Sequence, residues 1–561
     1  MNMTKIKEKR MVPIGFVRGV REFKKFEAII FGEHTEKLSV GYLLEVVDPR
    51  KNTKYLAIIR DIKPEFNPMI PDLEQIAREL GRPPDIKELE EIIKTFMGQP
   101  SYFLAGALSC ECELLAQAQI DDETWDEPRL PPSLPSPIVL PDPDTLKKAL
   151  QPNDGIYLGK LVYNEDVEVQ LDYKKFNQHL AILSQTGAGK TETAKRLIYE
   201  FIQKPGCSAL VIDPVGQYSG LRSVEPGTIS LLSKILRENS ICKLITLIIL
   251  GANKNRLDEI ANNLAEKLKK LGISASVIVW DLKDNKVEHI QETEEGKRIL
   301  ICNLCLPKEL KFSTLQLIRR GKTEFFDMIV RDAAELLNAE TQMGIDLEKV
   351  AQQFDNICKD LEEKPYFYHR SSIQSVRRDL RYIRELIGKF DRPNSLIKII
   401  FEENSLTIID HSEYSGSPLP FIAWLLDEIF EFATKNQGTR LLICLEEAHR
   451  YCPSEREELE RCETAPIVRK IATEGRKFNL CLCLISQRPS RLDSTTLSQC
   501  GTLIILRVRN EYDRKQIESS CESVLESDVK LLPELSTGEC IVSGVAVPNQ
   551  RIPLRVRVEK L

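Results

Sequence analysis

Residues 184–191 read Ser-Gln-Thr-Gly-Ala-Gly-Lys-Thr, and these residue types in this order suit one chemistry, the holding of phosphate. Thr186, Gly187, Ala188 and Gly189 form a loop whose backbone N–H groups wrap an anion, because glycine allows turns that a Cβ would block. Lys190 reaches the outer phosphates, Thr191 offers a hydroxyl to a divalent cation, and Glu192 joins the set from the first turn of the helix that starts there. The usual pattern, G-x-x-x-x-G-K-[ST], is met except at its first glycine position, where Ser184 stands.

A second stretch, LLICLEEAHRY at 441–451, ends an apolar run with Glu446 and Glu447 side by side. Two carboxylates at the mouth of a core are unfavourable unless a positive group sits between them. ATP with Mg²⁺ in the phosphate loop supplies that charge. Glu446 then lies near the magnesium held by Thr191, and Glu447 orients and polarises the attacking water. The competing reading is a pair of surface glutamates opening a helix. Gln487, in CLISQRPS at 483–490, ends a strand where a polar side chain touches the γ-phosphate and reports hydrolysis. Arg476 and Arg469 are candidates to reach the nucleotide of a neighbouring subunit, since arginine is always charged and forks onto phosphate oxygens. An ordinary intrachain ion pair is the competing reading for each.

These side chains need a frame. HLAILSQ, SALVIDP, SLTIIDHS, LLICLEE, LCLCLISQ and GTLIILRV are apolar on both faces and of strand length, which predicts a parallel sheet between helices. Between 251 and 272, Leu257, Ile260, Ala261, Leu264, Leu268 and Leu271 recur at helical spacing, with Gly272 as a stop. The fold class is therefore α/β: a RecA-like P-loop ATPase core, with a small N-terminal β-barrel and a mainly helical insertion. Short strands over 12–63 and again near 101–119 predict the barrel in 1–126, interrupted by helical patterns at 71–97. Seven prolines in 127–143 predict an extended connector within a linker at 127–153. The motor domain then spans 154–561, with its insertion at about 309–400.

Composition narrows the class. The longest apolar runs are too short to span a bilayer and the N-terminus has no apolar signal core, so no membrane partner is expected and the location is read as cytoplasmic. A net charge of −6 decides nothing about nucleic acid, because a ring can be acidic outside and basic only in its channel. The 15 cysteines lack a second CxxC to complete the pair Cys302 and Cys305, so they read as small buried hydrophobes rather than zinc ligands.

Taken together, LSQTGAGKTETAK, ALVIDPVGQYSG, LTIIDHS, ICLEEAHRY, IATEGRKFNLCLCLISQRPS and the tail GECIVSGVAVPNQRIPLRVRV resemble HerA-type ATPases, of the HerA/FtsK branch of ring-forming P-loop motors. The N-terminal strands resemble that family's HAS-barrel. The resemblance implies a homo-hexameric, ATP-driven translocase or helicase on double-stranded DNA, bound without sequence preference. It also implies a NurA-like nuclease partner in DNA-end resection and repair, or a defence effector subunit in an antiphage complex. Asp213 matches a family acid near the nucleotide. The chain departs from the family at Val215 and Gln217, where DPHGEY is common, and near Gln178, where an arginine is common. Candidate DNA-facing basic stretches are 366–390, with Arg370, Arg377, Arg381 and Arg384, and 318–325, with a solvated or subunit-facing surface as the alternative. A secretion or conjugation ATPase is a further alternative, disfavoured by the barrel and the lack of membrane spans. A small-molecule P-loop kinase is disfavoured by the paired glutamates and the late polar strand.

Overall fold

The computed structural model describes residues 13–30, 38–64, 108–120, 124–152, 154–219, 230–238, 241–282, 286–291, 296–304, 306, 309–310, 345–346, 374, 377–378, 381, 393–436, 438–454, 462–521, 523–548 and 553–561. The expected helices at 71–97 and the basic stretch at 318–325 lie outside these residues, as does nearly all of 366–390. By packing, the chain divides into two compact units. One comprises Met1–Asn153, Gly159–Gln170 and Val547–Val556; the other comprises Asp154–Leu158, Leu171–Ala546 and Arg557–Leu561. The sequence boundary at 153/154 differs from this division, which gives 159–170 and 547–556 to the first unit.

The first unit holds a closed barrel of β1 (Gly15–Val20), β2 (Lys25–Ile30), β3 (Leu43–Asp48), β4 (Thr53–Pro64), β5 (Leu108–Gln119) and β6 (Pro137–Val139), in the order β1-β2-β5-β4-β3-β6. Alternation along the strands turns Phe26, Ala28, Ile30, Leu44, Val46, Tyr55, Ala57, Ile59, Cys110 and Cys112 inward. The two cysteines are apolar filling, and burial pushes the Cys110 thiol up to about 11. The proline-rich stretch is more than the connector expected. Its Pro137–Val139 pairs with both β1 and β3 and closes the barrel. A strand this short tolerates one proline at its first residue, where a missing N–H matters least. The strands β7 (Ile156–Leu161), β8 (Asn164–Leu171) and β22 (Leu554–Val558), in the order β22-β7-β8, belong to this unit only over Gly159–Gln170 and up to Val556.

The second unit is built on a twisted sheet of β9 (Leu180–Leu183), β10 (Cys207–Asp213), β11 (Leu244–Leu250), β12 (Ser276–Asp281), β13 (Lys286–Gln291), β14 (Arg298–Leu304), β17 (Ser405–Asp410), β18 (Arg440–Glu446), β19 (Leu480–Ser486), β20 (Thr502–Leu506) and β21 (Glu539–Gly544). The spatial order is β13-β12-β14-β11-β17-β10-β18-β19-β9-β20-β21. Pairing is parallel from β12 through β20, with antiparallel strands at either end. Within the expected insertion, the described residues show the short pair β15 (Glu309–Leu310) and β16 (Ile345–Asp346), helical backbone at 374, 377–378 and 381, and the helix Pro393–Ile400. The continuous apolar runs are thus strands buried on both faces. The helix Lys254–Lys270 links β11 to β12, capped by the Asn253 side chain on the Arg256 N–H and released at Gly272, where φ is +65°. Helix Leu419–Lys435 is a largely buried flank; Trp424 and its neighbours fill the core, each full burial contributing about 1.5–3 kcal/mol.

Two junctions fix the start and end of the central strands. His179 precedes β9 with φ +60°, a strained value for a side chain of that size, and its Nδ1 accepts the Leu482 N–H. That bond continues the β9–β19 ladder one step beyond its backbone pairs. At the far edge Gly544 has φ +109°, and a Cβ there would lie 2.0 Å from the Gly501 carbonyl oxygen. Gly544→Ala should therefore destabilise the second unit by about 2 kcal/mol or more. Thermal unfolding checks this, and an unchanged midpoint would contradict the close approach.

Candidate nucleotide site

Because the central strands are parallel, their carboxyl ends share one edge, and the loops there converge. The phosphate loop follows β9 and opens the helix Lys190–Ile202. Gly187 and Gly189 take φ of +76° and +106°, so both glycines are required by the backbone. A Cβ on Gly189 would also press on Gly538 at 3.4 Å. Ser184 is fully buried, and its N–H bonds the Ser486 carbonyl at 3.2 Å. The absent glycine is thus a strand-end residue locked to β19 through its backbone, and the buried Ser184 hydroxyl has no hydrogen-bond partner among the described residues.

Lys190 is 5% exposed, and its Nζ lies 2.8 Å from Glu446 and 3.0 Å from Glu447. The two glutamates are therefore buried rather than surface groups, although Glu447 does precede a short helical turn, Ala448–Arg450. They end β18, which lies one strand beyond β19 from β9. Burial pushes the Glu446 carboxyl up from its ordinary value, with Glu447 adding to the rise and Lys190 and Tyr218 opposing it. The Tyr218 hydroxyl donates to Glu446 at 2.8 Å. Glu447 sits at φ +54°, a left-handed turn that swings it beside Lys190. The Gln487 amide donates to Glu447 at 2.6 Å, and the Thr186 hydroxyl donates to Gln487 at 2.5 Å. The Thr191 hydroxyl donates to Gln217 at 2.8 Å. His449 Nδ1 is 3.6 Å from Glu447 and 3.4 Å from Ser486 Oγ; burial lowers its pKa from the ordinary 6.5, so at neutral pH it is an uncharged neighbour.

Other expected residues fall elsewhere. Asp213 does not face the cluster as a ligand. Its carboxylate accepts the N–H groups of Val215, Gly216 and Tyr218, which folds the turn that presents Gln217 and Tyr218 to the site. Ser219 extends the same support by donating to Asp410 at the end of β17. Glu192 pairs with the buried Lys195 at 3.1 Å, one turn along the helix, rather than with the cluster. Arg469 is engaged by Asp493 at 3.2 Å, the intrachain pair that was its competing reading. Arg476 is exposed in the turn before β19, near His179, whose pKa it helps to lower. That places it at the amino edge of the sheet, across the length of β19 from its own phosphate loop. It is out of reach of that loop, as a residue acting on a neighbour must be.

Sequence reading missed Tyr218, His449 and the role of Gln217. The available signal was their place just after strand ends whose next polar residues belong to the site.

A glycine-turned loop opening a helix, with its lysine held by acids from a neighbouring parallel strand, defines a P-loop ATPase, and the chain is an ATP-hydrolysing enzyme. The family described as "Helicase HerA, central domain" matches residues 156–426. "Probable helicase MJECL08" of Methanocaldococcus jannaschii is 26% identical over 98% of this chain and 96% of its own length. "DNA double-strand break repair helicase HerA" is 24% identical in Pyrococcus furiosus, over 97% of this chain and 92% of the relative, and 25% identical in Saccharolobus solfataricus over the same shares. Among solved structures, VirB4 of Thermoanaerobacter pseudethanolicus is similar at 15% identity and a TM-score of 0.45, covering 74% of this chain and 98% of that one. The chain is thus similar to HerA helicases over nearly its full length. No helix among its described residues is long and apolar enough to cross a membrane.

Lys190 compensates two buried carboxylates, so Lys190→Ala should destabilise the protein by about 3 kcal/mol near neutral pH, besides abolishing turnover. The loss should shrink as pH falls. Glu446 already holds its proton to a higher pH in the folded than in the unfolded chain, and without Lys190 it holds it higher still. A protonated, neutral Glu446 needs no partner. Thermal unfolding of both proteins at pH 8 and pH 5 measures this; an equal gap at both would show that the cluster carries no net charge imbalance.

Proposed function

We propose that this ATPase is a motor on double-stranded DNA, working as a homo-hexameric ring and delivering DNA ends to a partner nuclease in break repair. The observation that carries the reading is the Lys190–Glu446–Glu447–Gln487 cluster, in a chain similar over nearly its full length to proteins named as double-strand break repair helicases. Glu447 is the base that orients the attacking water, and Gln487, bonded to both Glu447 and Thr186, relays the state of the γ-phosphate to β19.

The residues fit Mg²⁺ carried by ATP. Among the described residues no three acidic, histidine or cysteine side chains gather to hold an ion alone. Magnesium bound with a nucleotide needs only one or two protein oxygens beside phosphates and water. Thr191 and Glu446 offer those oxygens, and the ion would neutralise charge on the phosphates. Binding then replaces the carboxylates on Lys190 by phosphate oxygens, which frees Glu447 for water. Arg476, exposed at the opposite edge, reaches the nucleotide of the adjacent subunit.

The first test is ATP turnover at fixed low salt with and without linear duplex DNA. Stimulation by DNA supports the motor; turnover indifferent to DNA would overturn it in favour of an ATPase scaffold for a defence effector. Glu447→Gln should retain ATP binding and lose turnover by about 10²-fold or more. Normal turnover in that variant would remove Glu447 from its role. Arg476→Ala should bind ATP yet turn it over slowly. Mixed with Lys190→Ala subunits, it should regain part of its rate only if arginine acts across subunits, so a rate that never changes on mixing would refute the trans role.

A further inference from the structure

His179, just before β9, does more than continue a ladder. Its backbone is fixed on the β20 side, where the Gln178 carbonyl accepts the Gly501 N–H at 2.7 Å and the His179 carbonyl accepts the Thr502 N–H at 3.2 Å. The φ of +60° then sends the imidazole to the β19 side, where Nδ1 accepts the Leu482 N–H at 3.0 Å. With Nδ1 as acceptor, the neutral ring carries its proton on Nε2. Nε2 is buried, and no hydrogen bond closes on it among the described residues. Burial brings the ring's pKa down to about 4, with Arg476 adding to the fall and the Ala472 carbonyl opposing it, so both stand close to the ring.

Ala472 and Leu482 flank the turn Gly475–Phe478, which carries Arg476. The chain enters this turn from the helix Ala465–Glu474 and leaves it for β19. The imidazole therefore sits at the base of the turn, between its way in and its way out. The rest of the turn is held closely too. Gly475 is buried, and a Cβ there would press on the Leu480 carbonyl at 3.3 Å. The Asn479 carbonyl accepts the Leu441 N–H of β18 at 3.0 Å. Within the turn only Arg476 and Lys477 are exposed. Strained backbone persists where its surroundings over-determine it, and it gathers at functional sites. We propose that His179 is the positioning residue of Arg476: its imidazole ties the turn to the strand that ends in the phosphate loop, and so sets where the guanidinium leaves the subunit. This role rests on Arg476 acting on the adjacent subunit's nucleotide, as proposed above. β9, four residues long, then joins a subunit's own phosphate loop at one end to the arginine it offers a neighbour at the other.

His179→Asn separates the two duties of the ring. Asparagine tolerates positive φ, and its Oδ1 stands where Nδ1 does, so the Leu482 bond should survive while the reach towards Ala472 and Arg476 is lost. ATP turnover and thermal unfolding are measured for this variant, for Arg476→Ala and for the double variant. His179→Asn should unfold near the parent's midpoint, keep the KM for ATP and lose kcat by about tenfold or more. The double variant should be no slower than Arg476→Ala, since both changes act through one guanidinium. Mixed with Lys190→Ala subunits, His179→Asn should regain part of its rate, because those neighbours supply a well-placed arginine; a defect in its own phosphate loop would not recover. With Arg476→Ala slow, the proposal is overturned by a parental kcat in His179→Asn, by a loss carried in KM or in the unfolding midpoint, by additive losses in the double variant, or by no recovery on mixing. Parental turnover in Arg476→Ala would instead overturn the arginine reading, and the role of His179 with it.

Discussion

The structure of the second unit turns on one buried ammonium. Lys190 lies between Glu446 and Glu447 with almost no access to water, and a charge on any of the three is offset there by the others. Removing two carboxylates and an ammonium from water is unfavourable by several kcal/mol per ion, and short, direct pairing offsets it. An incoming triphosphate competes for the same lysine with charge of the same sign as the glutamates. On the function proposed above, the two acids hold the lysine's place for the triphosphate.

That placeholder depends on strand order. β9 carries the phosphate loop, β19 carries Ser486 and Gln487, and β18 carries the two glutamates, adjacent in the order β9, β19, β18. The register sets Leu183 beside Ser486 and Glu446 beside Ile485, so the strand ends are level. The left-handed turn at Glu447 then brings two successive carboxylates to one nitrogen, which an extended strand, alternating its side chains, does not do. Behind them Asp213 holds the turn that carries Tyr218 onto Glu446 and Gln217 onto Thr191. The residues at the family's DPHGEY positions thus act through this turn, and glutamine at 217 still reaches the loop's threonine.

Barrel and sheet illustrate two uses of the same physics. In the barrel, alternation separates a filled interior from an outer wall. In the sheet, strands buried on both faces leave only their ends for polar chemistry, and the chemistry gathers there. His179 and Gly544 occupy backbone conformations that ordinary side chains disfavour, and both stand where the ladder around β9 and β20 must begin or end.

The sequence by itself determined the phosphate loop, the paired acids, the parallel core and the barrel, because each follows from local rules: glycine at turns, apolar runs of strand length, alternation. It also placed Lys190 and the glutamates in one site, since two like charges at a strand end need a cation. Only the tertiary structure decided which polar groups face that site and which support it. Asp213 was placed near the nucleotide by resemblance alone, and the structure shows its oxygens taken by backbone N–H groups. Arg469 and Arg476 look equivalent in sequence, yet one meets Asp493 and the other stays exposed at the far edge. The proline-rich segment reads as a linker, and three of its residues close the barrel. In each case the deciding partner is distant in sequence or is a backbone group, and neither leaves a mark in residue spacing.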